Sequence, residues 1–364
     1  MSQSMNRRSW FKRAGVAAAG AALAPHALSA APAIRTPQSE GRLSAPRLGD
    51  APIRLSSNEN PYGPSKVARE AMISHFDEGC RYPYEAITDL QKLLAEKEGV
   101  SPEHIVIGSG SSEILSMAGM TYGLEGGEII AAYPTYQGLT SYAEKVGAYV
   151  HWVPLTDDMT HDLDAMDQRM TSTTGLVFVC NPNNPTGTVV EAEKLRAFCQ
   201  EASKRAVVFL DQAYVELMDD GGESMLDLVL DGHNVILSRT FSKIHGLAGL
   251  RVGYGIARPD IAERLGQYRM SSPNILGLRA AAASYQDEAF QAFSREKVAE
   301  GRQYVYGLFD ELGYRYVPSQ GNFVFFHTGQ PIKQFQAAME QRGILVGRPF
   351  PPYEDWCRLS MGKL

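Results

Sequence analysis

Cysteine is scarce: Cys80, Cys180, Cys199 and Cys357 lie far apart in 364 residues and form no Cys-x-x-Cys pair. That spacing argues against a disulfide framework and a cysteine-built metal centre, and predicts free, mostly buried thiols. The eight histidines, His151, His161 and His233 among them, show no ligand spacing, so no metal is expected. No long basic run follows the N-terminus and the formal net charge is -6, which argues against a nucleic-acid partner. The glycine fingerprints of nucleotide sites are missing too. No Gly-Lys-Ser/Thr ending and no Gly-x-Gly-x-x-Gly follows the first strand-like run, which disfavours a nucleotide-dependent dehydrogenase.

What remains is ordinary in bulk, with 44% hydrophobic and 21% charged residues, as in soluble globular proteins. The length suits two domains better than one core. The N-terminus is distinctive. Arg7-Arg8-Ser9-Trp10-Phe11-Lys12 precedes a mildly apolar, alanine-rich stretch (14–24) and then small-residue sites at Ser29-Ala30-Ala31 and Ala31-Pro32-Ala33. A basic start, a short apolar segment and a small-residue end describe an export signal, and the paired arginines resemble a twin-arginine (Tat) signal. The expectation is a signal peptide over 1–33 and a periplasmic protein (cytoplasmic if the signal is unused). The apolar stretch is too short for a membrane span. Residues 34–65 read as a linker and N-terminal arm.

Seven short runs rich in Val and Ile recur at 104–107, 128–133, 148–153, 176–180, 206–210, 234–238 and 252–256, each bounded by turn formers. Such runs are strands buried on both faces, as in a mostly parallel sheet. Residues 191–204 place Ala192, Leu195, Phe198 and Cys199 at helical spacing. The predicted fold is therefore α/β: a large domain over 66–268 with a mostly parallel seven-stranded sheet and helices on both faces. Helices at 276–285, 290–312 and 332–342 and strands at 314–317, 322–327, 344–346 and 357–360 predict a smaller α+β domain over 269–364.

The polar motifs fall at the downstream ends of predicted strands, the edge where open parallel sheets bind ligands. Ile107-Gly108-Ser109-Gly110-Ser111-Ser112-Glu113 runs from a strand through a glycine turn into a helix start. Backbone N–H groups and the helix dipole there favour an anion, although a plain N-capped helix would look alike. Asn181-Pro182-Asn183-Asn184-Pro185-Thr186-Gly187 is turn chemistry after a buried strand. Asp211, in Phe209-Leu210-Asp211-Gln212-Ala213-Tyr214, is a strand-end carboxylate that needs either a cationic partner or a helix to cap. Ser238-Arg239-Thr240-Phe241-Ser242-Lys243 puts a lysine in a tight polar site, where burial lowers an amine's pKa and frees it for imine chemistry. Arg251 follows eight residues later as a candidate phosphate contact.

Taken in order with Ser57-Asn58-Glu59-Asn60-Pro61-Tyr62-Gly63-Pro64, Arg81-Tyr82-Pro83, Tyr133-Pro134-Thr135-Tyr136 and Arg358-Leu359-Ser360, these motifs resemble the fold-type I, class I/II aminotransferases, most closely their histidinol-phosphate branch. The resemblance covers roughly 55–362. It implies pyridoxal 5'-phosphate (PLP), with Lys243 as the Schiff-base lysine and proton carrier. Asp211 would sit at the pyridine nitrogen, Tyr214 and Asn184 at the ring oxygen, and Tyr136 on the ring face. Ser109, Gly110, Ser111, Thr240, Ser242 and Arg251 would hold the phosphate. Tyr82 would reach it from a second subunit, so a homodimer with shared sites is expected. Arg358 would clamp the substrate α-carboxylate, Tyr62 and Asn322 would line its side-chain pocket, and Arg348 is a candidate for a substrate phosphate. The implied activity is ping-pong transfer between an L-amino acid (histidinol phosphate, or an aromatic or other amino acid) and a 2-oxo acid.

The chain departs from the branch in two places. An extra glycine, Gly347, precedes Arg348, and Tyr84 stands where an acidic residue is usual. Two other functions compete with this one. A PLP-dependent decarboxylase of the threonine-phosphate type differs in which bond to Cα breaks, and product analysis separates them. A non-catalytic binding protein on the same fold would be expected to have lost Lys243, Asp211 or Arg358. His245 is read as a packing residue.

Overall fold

A computed structural model describes residues 52–364; the expected signal peptide, and most of the expected linker, lie outside them. Among the described residues twelve strands are present: β1 Ile53–Leu55, β2 Ile105–Gly108, β3 Glu128–Tyr133, β4 Tyr149–Pro154, β5 Thr174–Cys180, β6 Val207–Asp211, β7 Val235–Thr240, β8 Gly253–Ala257, β9 Tyr316–Val317, β10 Phe323–His327, β11 Ile344–Val346 and β12 Trp356–Ser360.

Seven strands form one sheet in the order β2-β8-β7-β6-β5-β3-β4. Only β8 runs against the rest. All seven fall where apolar runs predict them. They were legible because burial on both faces leaves no polar alternation: all six residues of β7, for example, are buried. One apolar core lies on each side of the sheet. The first includes Val177, Val208, Leu237 and Leu94, the second Phe178, Phe209, Ile236 and Leu115.

The helices covering the sheet begin and end on local signals. Ser65 Oγ accepts from Ala68 N at the start of Lys66–Ser74, and the helix Tyr84–Glu98 stops at Gly99, whose φ is 72°. The helix Ile275–Tyr285 falls on the C-terminal side of the expected division at 268/269. It nevertheless packs Leu278, Ala280 and Ala281 into the core of the large sheet.

A three-stranded antiparallel sheet, β12-β10-β9, has its own core of Val324, Phe326, Cys357 and Phe309. The segment read as part of a linker and arm contains β1, which pairs in parallel with β11 from Ile53↔Ile344 to Leu55↔Val346. Three residues are too few for a periodic signal. This pairing holds residues 56–60 beside the end of the large sheet. Among the described residues, no helix is long and apolar enough to cross a membrane. Cys80 is exposed and the other three cysteines are buried.

Candidate active site

The ends of β2, β5, β6 and β7 lie along one edge of the large sheet. Because β8 is antiparallel, its beginning lies there too. The turn residues that follow these strands therefore converge. They enclose a cavity of about 380 Å³ lined by Ser57, Asn58, Glu59, Ser111, Ser112, Tyr136, Asn184, Asp211, Ala213, Tyr214, Thr240, Ser242, Lys243, Ala248, Arg251 and Arg358.

Lys243 Nζ donates to the carbonyl of Asn58 (2.8 Å) and lies 5.3 Å from the centre of the Tyr214 ring. Burial, and next the Arg358 guanidinium, bring its ammonium down to about 8. Asp211 is 2% exposed. Its Oδ1 accepts from Ala213 N (3.2 Å), and the Cys180 thiol approaches Oδ2 at 3.9 Å. Burial outweighs these donors and pushes its carboxyl up to about 7. The carboxylate thus lacks a full cationic partner of its own, which a protonated pyridine nitrogen would supply.

The Tyr214 hydroxyl receives Asn58 Nδ2 (2.9 Å) and Asn184 Nδ2 (3.4 Å). Burial raises its pKa, so it remains a phenol. Arg358 Nη1 donates to Asn184 Oδ1 (2.8 Å) and Nη2 to the Ser56 carbonyl (2.9 Å). Its Nε is buried with no partner. Burial also disfavours the charge of this guanidinium; an anion beside it would offset that cost and meet the unpartnered Nε–H.

The opposite end of the cavity is an anion cradle. The 13-residue helix Ser111–Gly123 starts there, with Gly110 as its N-cap. Arg251 Nη2 approaches Ser112 Oγ (3.3 Å) and Nη1 approaches Ser242 Oγ (3.4 Å). Gly110 has φ 81°, and a Cβ there would lie 2.3 Å from Arg251 Nη2. Gly253 gives similar clearance, since its Cβ would lie 2.2 Å from Ser111 N. The glycines therefore keep N–H groups, hydroxyls and a guanidinium open toward one small anion. With the buried acid, the reactive amine and the phenol, this donor set fits PLP.

The structure gathers Lys243, Asp211, Tyr214, Asn184, Tyr136, Ser111, Thr240, Ser242, Arg251 and Arg358 around the cavity. The other candidates do not line it. Ser109 turns its hydroxyl to Ser271 Oγ (2.9 Å), and its N–H bonds Glu113 Oε2 (2.6 Å). Ser112, without an assigned role in the sequence reading, lines the cavity instead. Gly110 acts by its clearance. Tyr62 packs edge-on against Phe293 (5.4 Å). Asn322 is buried and reaches the site indirectly, through Nδ2 to the Glu59 carbonyl (3.1 Å). Arg348 is exposed, with its guanidinium 4.2 Å from the centre of the Phe350 ring. Tyr82 is 80% exposed, beside Tyr84.

Asn58 is the main residue whose role the sequence reading missed. It bonds Tyr214 through its side chain and Lys243 through its carbonyl, yet in sequence it is only a member of an irregular polar stretch. His245 packs between Phe241 (4.7 Å) and Tyr285 (6.2 Å), away from the cavity.

The histidinol-phosphate aminotransferase of Moorella thermoacetica is 41% identical over 315 residues, covering 85% of this chain and 81% of that one. Histidinol-phosphate aminotransferase 2 of Ralstonia nicotianae is 38% identical, covering 85% of this chain and 84% of the relative. The crystal structure of the histidinol-phosphate aminotransferase of Sinorhizobium meliloti in complex with pyridoxal-5'-phosphate superposes with a TM-score of 0.80 at 28% identity, covering 85% of this chain and 86% of that one. These named aminotransferases favour amino transfer over decarboxylation. The family model for aminotransferase class I and II matches residues 50–363, and the chain belongs to that family.

Proposed function

We propose that the protein is a PLP-dependent aminotransferase that passes an amino group from an L-amino acid or histidinol phosphate to a 2-oxo acid by a ping-pong route. The convergence of Lys243, Asp211, Tyr214, Asn184, Arg251 and Arg358 on one cavity carries this reading. PLP, when bound, supplies an electron sink for the bond broken at the donor's α-carbon.

The protein's part is to orient and to move protons. Lys243, brought down to about 8, has a sizeable neutral fraction in mildly alkaline solution. Its nitrogen would be the group that holds the cofactor through its aldehyde and, when free, would carry the donor's α-proton. Asp211 would hold the cofactor's ring nitrogen in its protonated form. Tyr214 and Asn184 would offer hydrogen bonds to the ring oxygen, and Tyr136 would cover the ring. Ser111, Ser112, Thr240, Ser242, Arg251 and the helix N-terminus hold the phosphate. Arg358 takes the donor's anionic group, with Nε still available.

Ile73, Phe76, Tyr82 and Tyr84, at 69–80% exposure, support a homodimer in which Tyr82 reaches the partner's cofactor. Sedimentation of the purified protein tests this; a monomer at micromolar concentration refutes it. Arg7-Arg8 and the alanine-rich stretch behind it support Tat export to the periplasm, which cell fractionation tests.

The deciding experiment is visible absorbance of the purified protein as amino donors are added singly: histidinol phosphate, phenylalanine, tyrosine, glutamate, arginine and alanine. Conversion of a yellow form to the pyridoxamine form establishes the half-reaction, and the fastest donor names the substrate class. A protein that stays colourless and takes up no added PLP refutes the proposal.

A further inference from the structure

Two carboxylates are among the cavity's lining residues, Asp211 and Glu59. Asp211 is sealed beneath the site. Glu59 is not: its side chain is 43% exposed, and its charge contributes to the balance felt by Lys243. The backbone of Glu59 is pinned on both sides. Its N–H donates to the Ser57 carbonyl (2.8 Å), and its own carbonyl accepts from Asn322 Nδ2 (3.1 Å). The carboxylate therefore projects from a fixed backbone point.

Its partner is Arg54 on β1, whose Nη1 lies 3.0 and 3.1 Å from the two carboxylate oxygens. Arg54 is itself 59% exposed. Exposed pairs of this kind contribute little to stability, so a competing charge can exchange with either member at small cost. The other lining charges already have tasks in the proposed function. Lys243 serves the chemistry, and Arg251 and Arg358 serve anions. Glu59 is the carboxylate left to meet the far end of a donor.

We propose that Glu59, a lining residue whose exchangeable partner is Arg54, reads the charge of the amino donor's distal group, accepting a cationic ammonium or guanidinium in place of Arg54. Glu59 is thus a specificity residue for donors such as arginine or lysine. Arg54, when released, favours an anionic distal carboxylate. This inference rests on the aminotransferase reading of the same site.

The test compares kcat/KM for arginine, phenylalanine and glutamate, as charged, neutral and oppositely charged donors, in wild type, Glu59→Gln and Arg54→Ala. Glu59→Gln should lower the arginine-to-phenylalanine ratio roughly 5- to 10-fold and raise the glutamate-to-phenylalanine ratio, whatever the absolute rates. Arg54→Ala should move both ratios the opposite way. In wild type, the arginine preference should weaken as salt rises from 0.02 to 0.5 M, on the order of the screening expected for exposed charges.

A merely structural role for Glu59 would lower all donors together. Parallel loss, with Arg54→Ala leaving both ratios unmoved, overturns the inference. If Glu59→Gln does not fold, Arg54→Ala and the salt series decide it alone. A wild type that transfers from no donor would instead refute the aminotransferase reading, a result distinct from parallel loss in an active enzyme.

Discussion

Burial of the Asp211 carboxyl has a consequence for stability that can be measured. Its carboxyl is held at about 7, against about 3.9 for an unperturbed aspartate. The folded apoprotein therefore binds this proton more tightly than the unfolded chain. The sign follows from linkage. Below about pH 4 the group is protonated in both states and costs nothing. From pH 4 to 7 the unfolded chain ionises while the folded one resists, so its contribution to stability falls. Above pH 7 the loss is complete and amounts to about 4 kcal/mol, as an upper figure.

Asp211→Asn removes the charge and keeps an oxygen for Ala213 N–H. In the apoprotein it should be nearly neutral at pH 4.5 and stabilising by roughly 2–4 kcal/mol at pH 8. Thermal unfolding of apo wild type and variant, in steps from pH 4.5 to 8.5, reads the difference directly. Added PLP should reverse the order by favouring wild type, whose carboxylate meets the ring nitrogen. A variant less stable than wild type at pH 8, or a difference that does not change with pH, would refute the account of a poorly compensated buried charge.

Two further substitutions test the site. Lys243→Ala should lower turnover roughly 1,000-fold or more and abolish the yellow band, while leaving the unfolding midpoint of the apoprotein at or above the wild-type value, because a desolvated amine is removed. Full turnover would sink the assignment. Gly110→Ala forces a side chain into a backbone region open almost only to glycine and against Arg251. It should weaken PLP and inorganic phosphate binding together, roughly tenfold to hundredfold, as measured by calorimetry. Unchanged affinity for both would show that the cradle does not hold the anion.

Much of the fold was legible because the strands of a doubly covered sheet need no neighbour to declare themselves: 128–133 read from sequence matches β3 residue for residue. Site motifs were legible as turns at strand ends, since the sheet must bring those ends to one edge. The direction of individual side chains was not. Ser109, Ser111 and Ser112 are equivalent as sequence, and only the helix start and the Glu113 carboxylate decide that Ser109 turns away. β1 was missed because its partner, β11, lies almost 300 residues downstream. Tyr62 was placed by motif, but it is held by Phe293, an aromatic neighbour that the motif does not contain, and Arg348 is drawn over the Phe350 ring two residues on.

The same long-range pairing explains how Tyr214 is aimed. Arginine can only donate, so Asn184 must present Oδ1 to Arg358 and hence Nδ2 to Tyr214. Asn58 donates from the other side while its Oδ1 receives Ser360 Oγ (2.6 Å). With both lone pairs of the phenol engaged, its own proton remains free to be donated, and the cofactor's ring oxygen would be its acceptor. The N-terminal segment, β5, β6 and β12 thus set one proton together. Asn58→Ala removes one of the two donors but spares the backbone carbonyl that receives Lys243. Losing about 1 kcal/mol of this support should raise the pH midpoint of the visible band in the PLP-loaded protein by roughly 0.7. Asn58→Asp, which turns that donor into an acceptor, should raise it further. A midpoint that stays fixed in both variants, with PLP still bound, would mean that Tyr214 is not oriented by this chain of hydrogen bonds.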